Sequence, residues 1–334
     1  MLKPAFAIGT AAALWASAVG AQETIDLKFA VFTPEQEITY QEAMKPWAEA
    51  VMEATDGKVN IQMFPGGTLG RDGSKQIKML KDGVADIAFI IPAYNPGLFP
   101  DNAVIELPDT SANATEGSVA FWRLLEGGNL RGYEDFEVLG MFTTAPYSIH
   151  GTFPIETMAD LKGKKIRIAG KLEQQCVEAI GAVPVGMPIS KIPESLSRGV
   201  IDATPMHYAA LHAFGVAGAT DHHYHNVLGS LPFGFIMTRE TFDALPEDVQ
   251  AVMREKGGEA LARIFGAAMD AENAKLVQQT IDDPDQTVVE PSEQDRKDWA
   301  EAVSTCVNAW TAEHDKGEEL HQALIEQLEA IRAE

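Results

Sequence analysis

Apolar and polar residues alternate from Ile25 to Phe32, which predicts a first strand ended by Thr33-Pro34. Tyr40 to Ala54 then carries apolar residues at helical spacing. Lys58 to Phe64 alternates again and stops at Pro65-Gly66-Gly67; Gln76 to Asp82 reads as a helix closed by Gly83. The continuous apolar run Ala85 to Ile91 suits a strand buried on both faces. Phe136–Phe142, Lys165–Ile168 and Phe235–Thr238 are further strands, and Glu173–Ile180, ended by Gly181, and Pro193–Arg198 further helices. Asp202-Ala203 reads as a turn. From Pro246 to about Ile281 the pattern is helical, with Gly257-Gly258 as its weak point, and Trp299–Trp310 and Glu318–Arg332 follow as helices. Strands alternating with helices predict an α/β fold with parallel sheets.

The first residues carry a different pattern. Lys3 precedes a mostly apolar stretch from Ala5 to Val19, and Val19-Gly20-Ala21 places small residues where a signal peptidase cuts. The stretch falls short of the about 20 apolar residues of a membrane span, so it predicts a signal peptide over residues 1–21 and export. Export makes a Cys176–Cys306 disulfide permissible; two free buried thiols fit the sequence equally.

The 334 residues carry 49 acidic against 26 basic side chains, a formal charge of −23. With no Lys/Arg-rich run, nucleic acid is excluded as a partner. A locally positive pocket for a small anion remains compatible with an acidic shell. No dinucleotide, phosphate-loop, zincin or nucleophile-elbow motif occurs, and no cofactor is expected. Gly66-Gly67-Thr68-Leu69-Gly70 lacks the phosphate-loop lysine and reads as a turn. Asp221-His-His-Tyr-His225 is the most metal-like cluster; His222 and His225 would share a helix face, yet no third ligand is evident and a hydrogen-bonded role is expected.

Phe64-Pro-Gly-Gly-Thr-Leu-Gly70, Lys81-Asp-Gly-Val-Ala-Asp-Ile-Ala88, Phe99-Pro100, Glu106-Leu-Pro108 and Met158-Ala-Asp-Leu-Lys-Gly-Lys-Lys-Ile-Arg-Ile168 occur in that order. Gly181-Ala-Val-Pro184, Met187-Pro188, Gly199-Val-Ile-Asp202 and Leu245-Pro-Glu-Asp-Val-Gln250 follow. In these blocks the chain resembles the solute-binding subunits of tripartite ATP-independent periplasmic (TRAP) transporters, from about residue 25 to about residue 330. The resemblance implies a non-catalytic periplasmic receptor that delivers an organic acid to membrane permease subunits. It also implies a two-lobed periplasmic-binding-protein-like fold with a long inter-lobe helix. Lobe I would comprise 22–145 plus 233–270 and lobe II 146–232 plus 271–334, closing on the ligand by hinge bending.

Arg167 is the first candidate ligand contact. It stands between Ile166 and Ile168, so strand alternation turns it away from the core face, and its planar fork suits a carboxylate. In the resembled family this position clamps the ligand carboxylate. Phe32, Ile91, Tyr94, Tyr147, Met206 and Phe233 fall in register with the family's pocket, and a slip of a residue or two would substitute His207 or Tyr208 for Met206. Aromatic groups around one arginine predict a monocarboxylate with an apolar or aromatic body. A C4-dicarboxylate is the alternative ligand, and needs a second charge from Lys171 or His150. The competing function is an exported α/β hydrolase using His150, His207 or His212.

Overall fold

The computed structural model describes residues 24–108 and 110–334, so the expected signal peptide lies outside the described residues. Eleven strands occur among the described residues. They are β1 (Ile25–Ala30), β2 (Val59–Phe64), β3 (Ile87–Ile90), β4 (Phe136–Thr143), β5 (Ser148–Gly151), β6 (Lys165–Ile168), β7 (Val183–Gly186), β8 (Ala203–Met206), β9 (His222–Tyr224), β10 (Pro232–Thr238) and β11 (Thr287–Val289). They form two sheets, one in each α/β lobe, with strand orders β2-β1-β3-β10-β4 and β11-β9-β5-β8-β6-β7.

Both sheets are mixed, which corrects the expectation of parallel ones. β1 runs parallel to β2 and β3, but β10 is antiparallel to β3 and β4. In the second sheet β6 is parallel to β7 and β8, whereas β5 is antiparallel to β8 and β9. The two antiparallel insertions are the strands that bring the chain into each sheet from the other, a connection that periodicity does not encode.

Local pattern accounts for most elements. In β1 Leu27 and Phe29 are buried while Asp26 and Lys28 are exposed, and central β3 is buried throughout. Tyr40–Ala54 begins as a π-helical turn, Tyr40–Met44, before continuing as the α-helix Lys45–Ala54. Two local expectations are corrected. Residues 203–206 form strand β8 rather than opening a turn, because Asp202 caps the neighbouring strand by accepting from the Lys165 N–H at 2.8 Å and lets the chain run on extended. His222–Tyr224 is a strand, so His222 and His225 do not share a helix face.

The helical stretch after Pro246 is divided into Glu247–Glu255 and Gly258–Asp282. A Cβ at Gly257 would lie 2.2 Å from the Leu139 carbonyl oxygen, and Gly258 has φ +74°, so a side chain at either position opposes the bend. The longer helix contacts both lobes. Its Phe265 packs 4.7 Å from Phe142 of β4, and Asn273 accepts from the Tyr208 N–H at 2.8 Å on the other side. The final helix, Gly317–Arg332, returns to helix Ala114–Glu126, where Arg332 pairs with Glu116 at 2.8 Å. Among the described residues no helix is long and apolar enough to cross a membrane.

Cys176 and Cys306 are bridged, which removes the free-thiol alternative. The bond ties helix Lys171–Ala179 to helix Glu293–Glu313 across a sequence separation of 130 residues. Closing so long a loop restricts the unfolded chain. Reduction is expected to lower the unfolding free energy by about 4 kcal/mol. Urea titration with and without reductant checks this, and coincident curves would contradict it.

Candidate ligand-binding site

Strand direction assembles the site. β1 and β3 are parallel, so Phe32 and Ile91 emerge beyond their carboxyl ends on the same edge of the first sheet. Phe233 lies at the start of antiparallel β10, one residue after Pro232, where Gly234 pairs with Ile90, and therefore reaches that edge too. In the second sheet Ser148 pairs with Met206, which sets Tyr147 and His207 side by side; their rings stack at 6.1 Å and 16°. Phe32, Phe89, Ile91, Tyr147, His207 and Phe233 line one cavity. Crevices outside the carboxyl ends of strands are where open α/β sheets bind ligands. Phe32 stacks on Phe89 at 5.2 Å, and Phe89 meets Phe233 edge-on at 5.7 Å, giving two flat apolar faces.

Arg167 approaches from β6. Its neighbours Ile166 and Ile168 pack in the lobe core, while its own side chain is 2% exposed. Its Nε donates to the Met187 carbonyl at 3.1 Å. Among the described residues this is its only hydrogen bond, and no carboxylate forms an ion pair with it. Glu173 is close enough to feel its charge, yet one Glu173 oxygen accepts from the Ala169 N–H and the other, Oε1, has no partner. Burial raises the Glu173 carboxyl, and Arg167 and the Ala169 N–H oppose that rise only in part. Arg167 does not line the aromatic cavity directly, but it acts on Tyr147, which does. Burial pushes the Tyr147 phenol well up, so it stays protonated and is a donor.

Burial holds the His207 imidazole down to about 3, so the ring is neutral. Its Nδ1 accepts from the Ala210 N–H at 3.4 Å, which leaves the proton on Nε2 as a second neutral donor. Tyr94 lies beside the cavity. A Cβ at Gly73 would meet the Tyr94 ring at 2.9 Å and the Phe32 ring at 3.0 Å, so a glycine seats both. Met206 is buried in β8 and does not line the cavity; strand alternation gives that place to the next residue, His207. Tyr208, the other residue a slip would bring in, bonds His225 at 2.6 Å.

Thr33, Glu37, Thr39 and Thr144 also line the cavity and were not singled out from sequence. The legible signal was position: Thr33 to Glu37 follow the carboxyl end of the first parallel strand. Lys171 is exposed and pairs with Glu313 at 2.9 Å. His150 is buried with both ring nitrogens engaged, by His223 at 2.7 Å and by the Met206 carbonyl at 3.0 Å. The metal-like cluster is similarly occupied: His222 binds Asp221, His223 binds His150 and Gln286, and His225 binds Tyr208 and Glu290. Asp101, His314 and Asp315 also stand close together, but Arg131 already forks onto both aspartates.

Two α/β lobes with strand ends converging on one cavity, and a buried guanidinium that no carboxylate pairs with among the described residues, give the arrangement of a receptor for a small anionic solute. The chain belongs to the family described as "Bacterial extracellular solute-binding protein, family 7" (DctP), whose profile matches residues 29–313. Its fold and family are those of TRAP solute receptors, extracytoplasmic proteins that bind small organic acids and work with a membrane permease. The chain is similar to the outer membrane transporter protein TsaT of Comamonas testosteroni, 27% identical over 252 residues and 73% of each chain. It is also similar to a marine metagenome TRAP solute-binding protein specific for aromatic acid ligands, solved with metahydroxyphenylacetate. The TM-score is 0.86 at 26% identity, covering 92% of this chain and 99% of that one. A TRAP solute-binding protein from Rhodoferax ferrireducens, solved with copurified benzoate, gives 0.86 and 26% over 92% and 98%.

Proposed function

We propose that this chain is the receptor for an aromatic monocarboxylate, with Arg167 as the carboxylate anchor. The observation that carries the reading is a buried guanidinium, without an ion-pair partner among the described residues, beside a cavity walled by Phe32, Phe89 and Phe233. Tyr147 and His207 supply neutral donors near the anchor, and Ile91 and Tyr94 complete the apolar surround. A C4-dicarboxylate needs a second cation, since an unpaired buried charge is very costly. Lys171 is drawn off by Glu313, and His150 is held by His223, which favours one carboxylate. The aromatic-acid ligands of the two solved relatives support the same class.

The lobes are proposed as 22–145 plus 233–270 and 146–232 plus 271–334. The change of sheet between Thr143 and Ser148, and again between Tyr224 and Pro232, supports the division. Residues 1–21 are proposed as a signal peptide cleaved after Ala21, giving a periplasmic receptor that delivers its ligand to TRAP permease subunits.

A thermal-shift screen tests the ligand class, using benzoate, hydroxybenzoates, mandelate, lactate, pyruvate, succinate and malate. A ligand at a hundred times its Kd adds about 2.7 kcal/mol to stability, so true ligands shift the transition clearly. Stabilisation by benzoate-type acids without turnover is expected. Stabilisation by succinate or malate alone would overturn the reading. Binding is also expected to close the lobes and reduce the radius of gyration; identical small-angle scattering at saturation would contradict hinge closure.

A further inference from the structure

The cavity has a second polar region. Thr33 and Glu37 are 4% and 5% exposed, and both line it. They come from the segment after β1, in the first lobe, whereas Arg167 comes from β6 in the second. A ligand touching both regions therefore bridges the lobes, with its ring in the aromatic wall.

Neither group is explained by a ligand whose only polar part is a carboxylate. The Thr33 hydroxyl is buried without a hydrogen-bond partner among the described residues. Buried polar atoms in native proteins are rarely left so. Glu37 accepts from the Thr39 N–H and the Thr39 hydroxyl, each at 3.0 Å, and no cation among the described residues pairs with it. Each carboxylate oxygen has capacity for a further donor. A free acceptor and an idle hydroxyl lining one cavity match a group that both donates and accepts.

We infer that Thr33 and Glu37 recognise a hydroxyl on the aromatic ring, remote from the carboxylate that Arg167 binds. The ligand hydroxyl donates to a Glu37 oxygen and accepts from the Thr33 hydroxyl. The inference deepens the aromatic-acid reading and rests on it. Burial raises Glu37 to about 7, so it is about half ionised near neutral pH, and in either form it keeps an oxygen that accepts from a hydroxyl. A site built to hydrogen-bond a hydroxyl rejects the analogue lacking it, because its own polar groups are then left unpaired.

Titration calorimetry on the mature chain with benzoate, 3-hydroxybenzoate, 4-hydroxybenzoate and 3-methoxybenzoate tests this. At least one hydroxybenzoate is expected to bind about tenfold or more tighter than benzoate, the effect of one hydrogen bond to a charged or buried group. Methoxybenzoate, which cannot donate, is expected to lose that gain. In Thr33→Val and Glu37→Gln the hydroxybenzoate-to-benzoate ratio should fall toward one while benzoate itself still binds, which also shows that the variants are folded. Thr33→Val keeps the side chain's shape and carries the test if Glu37→Gln does not fold. A wild-type ratio near one with both hydroxy isomers, or a ratio unchanged in Thr33→Val, overturns the inference and leaves the aromatic-acid reading standing. Failure of every aromatic acid to bind overturns both.

Discussion

Arg167→Ala is expected to abolish carboxylate binding while the protein remains folded. The side chain is buried, yet its only hydrogen bond among the described residues is from Nε to the Met187 carbonyl. Its charge acts on Glu173 without a hydrogen bond between them, so the rest of its fork is free for an oxyanion. Truncating one member of a buried charge pair costs roughly 2–5 kcal/mol, a factor of about 30 to several thousand in affinity. Arg167→Lys retains the charge but loses the planar fork, and should recover only part of the loss. Calorimetry with the acid that gives the largest thermal shift measures both variants. Unchanged affinity in Arg167→Ala would remove Arg167 from the site.

A second large effect concerns Glu106, whose carboxyl is raised to about 8 by burial and by the neighbouring Glu173. The unfolded chain releases this proton near the ordinary value of 4.5. Below that pH both states are protonated and the group is neutral to stability. As pH rises toward 8 only the unfolded state has ionised freely, so stability falls progressively, by up to about 5 kcal/mol. Glu106→Gln should therefore leave Tm nearly unchanged at pH 4.5 and raise it at pH 8. The buried histidines act in the opposite sense. His207, held near 3, and His150, held well down by burial, contribute stability above about 6.5 that is lost as pH falls. Parallel pH profiles of wild type and Glu106→Gln would show that Glu106 does not couple to folding.

Most elements were legible because local periodicity encodes both an element and the face it buries. The strand Lys165–Ile168 is an example: the chain reads Ile-Arg-Ile, and the arginine was turned away from the core face by alternation alone. Several strands that were missed have partners far away in sequence: β5 pairs with β8 and β9, and β9 with β11, whereas helix Ala114–Glu126 was missed despite its local bonding. β8 begins at Ala203, and Asp202-Ala203 read as a turn, yet the strand is buried between β5 and β6. The alternating-strand pattern could not distinguish parallel from mixed sheets, because direction depends on where the chain crosses between lobes.

The sequence by itself determined the α/β class, the weak point at Gly257-Gly258, and an arginine turned away from the core face of its strand; the aromatic candidates around it were implied by the family resemblance. The first three follow from side-chain periodicity, backbone freedom and charge, all local properties of the chain. Tertiary structure decided the rest. It set His207 rather than Met206 against Tyr147, because the β5–β8 register fixes which residue faces the cleft. It bridged Cys176 to Cys306, because two helices that are remote in sequence pack together. It also placed Glu37 and Thr33 in the cavity, because ligand space arises where strand ends from two sheets converge, and that convergence is a property of the assembled lobes.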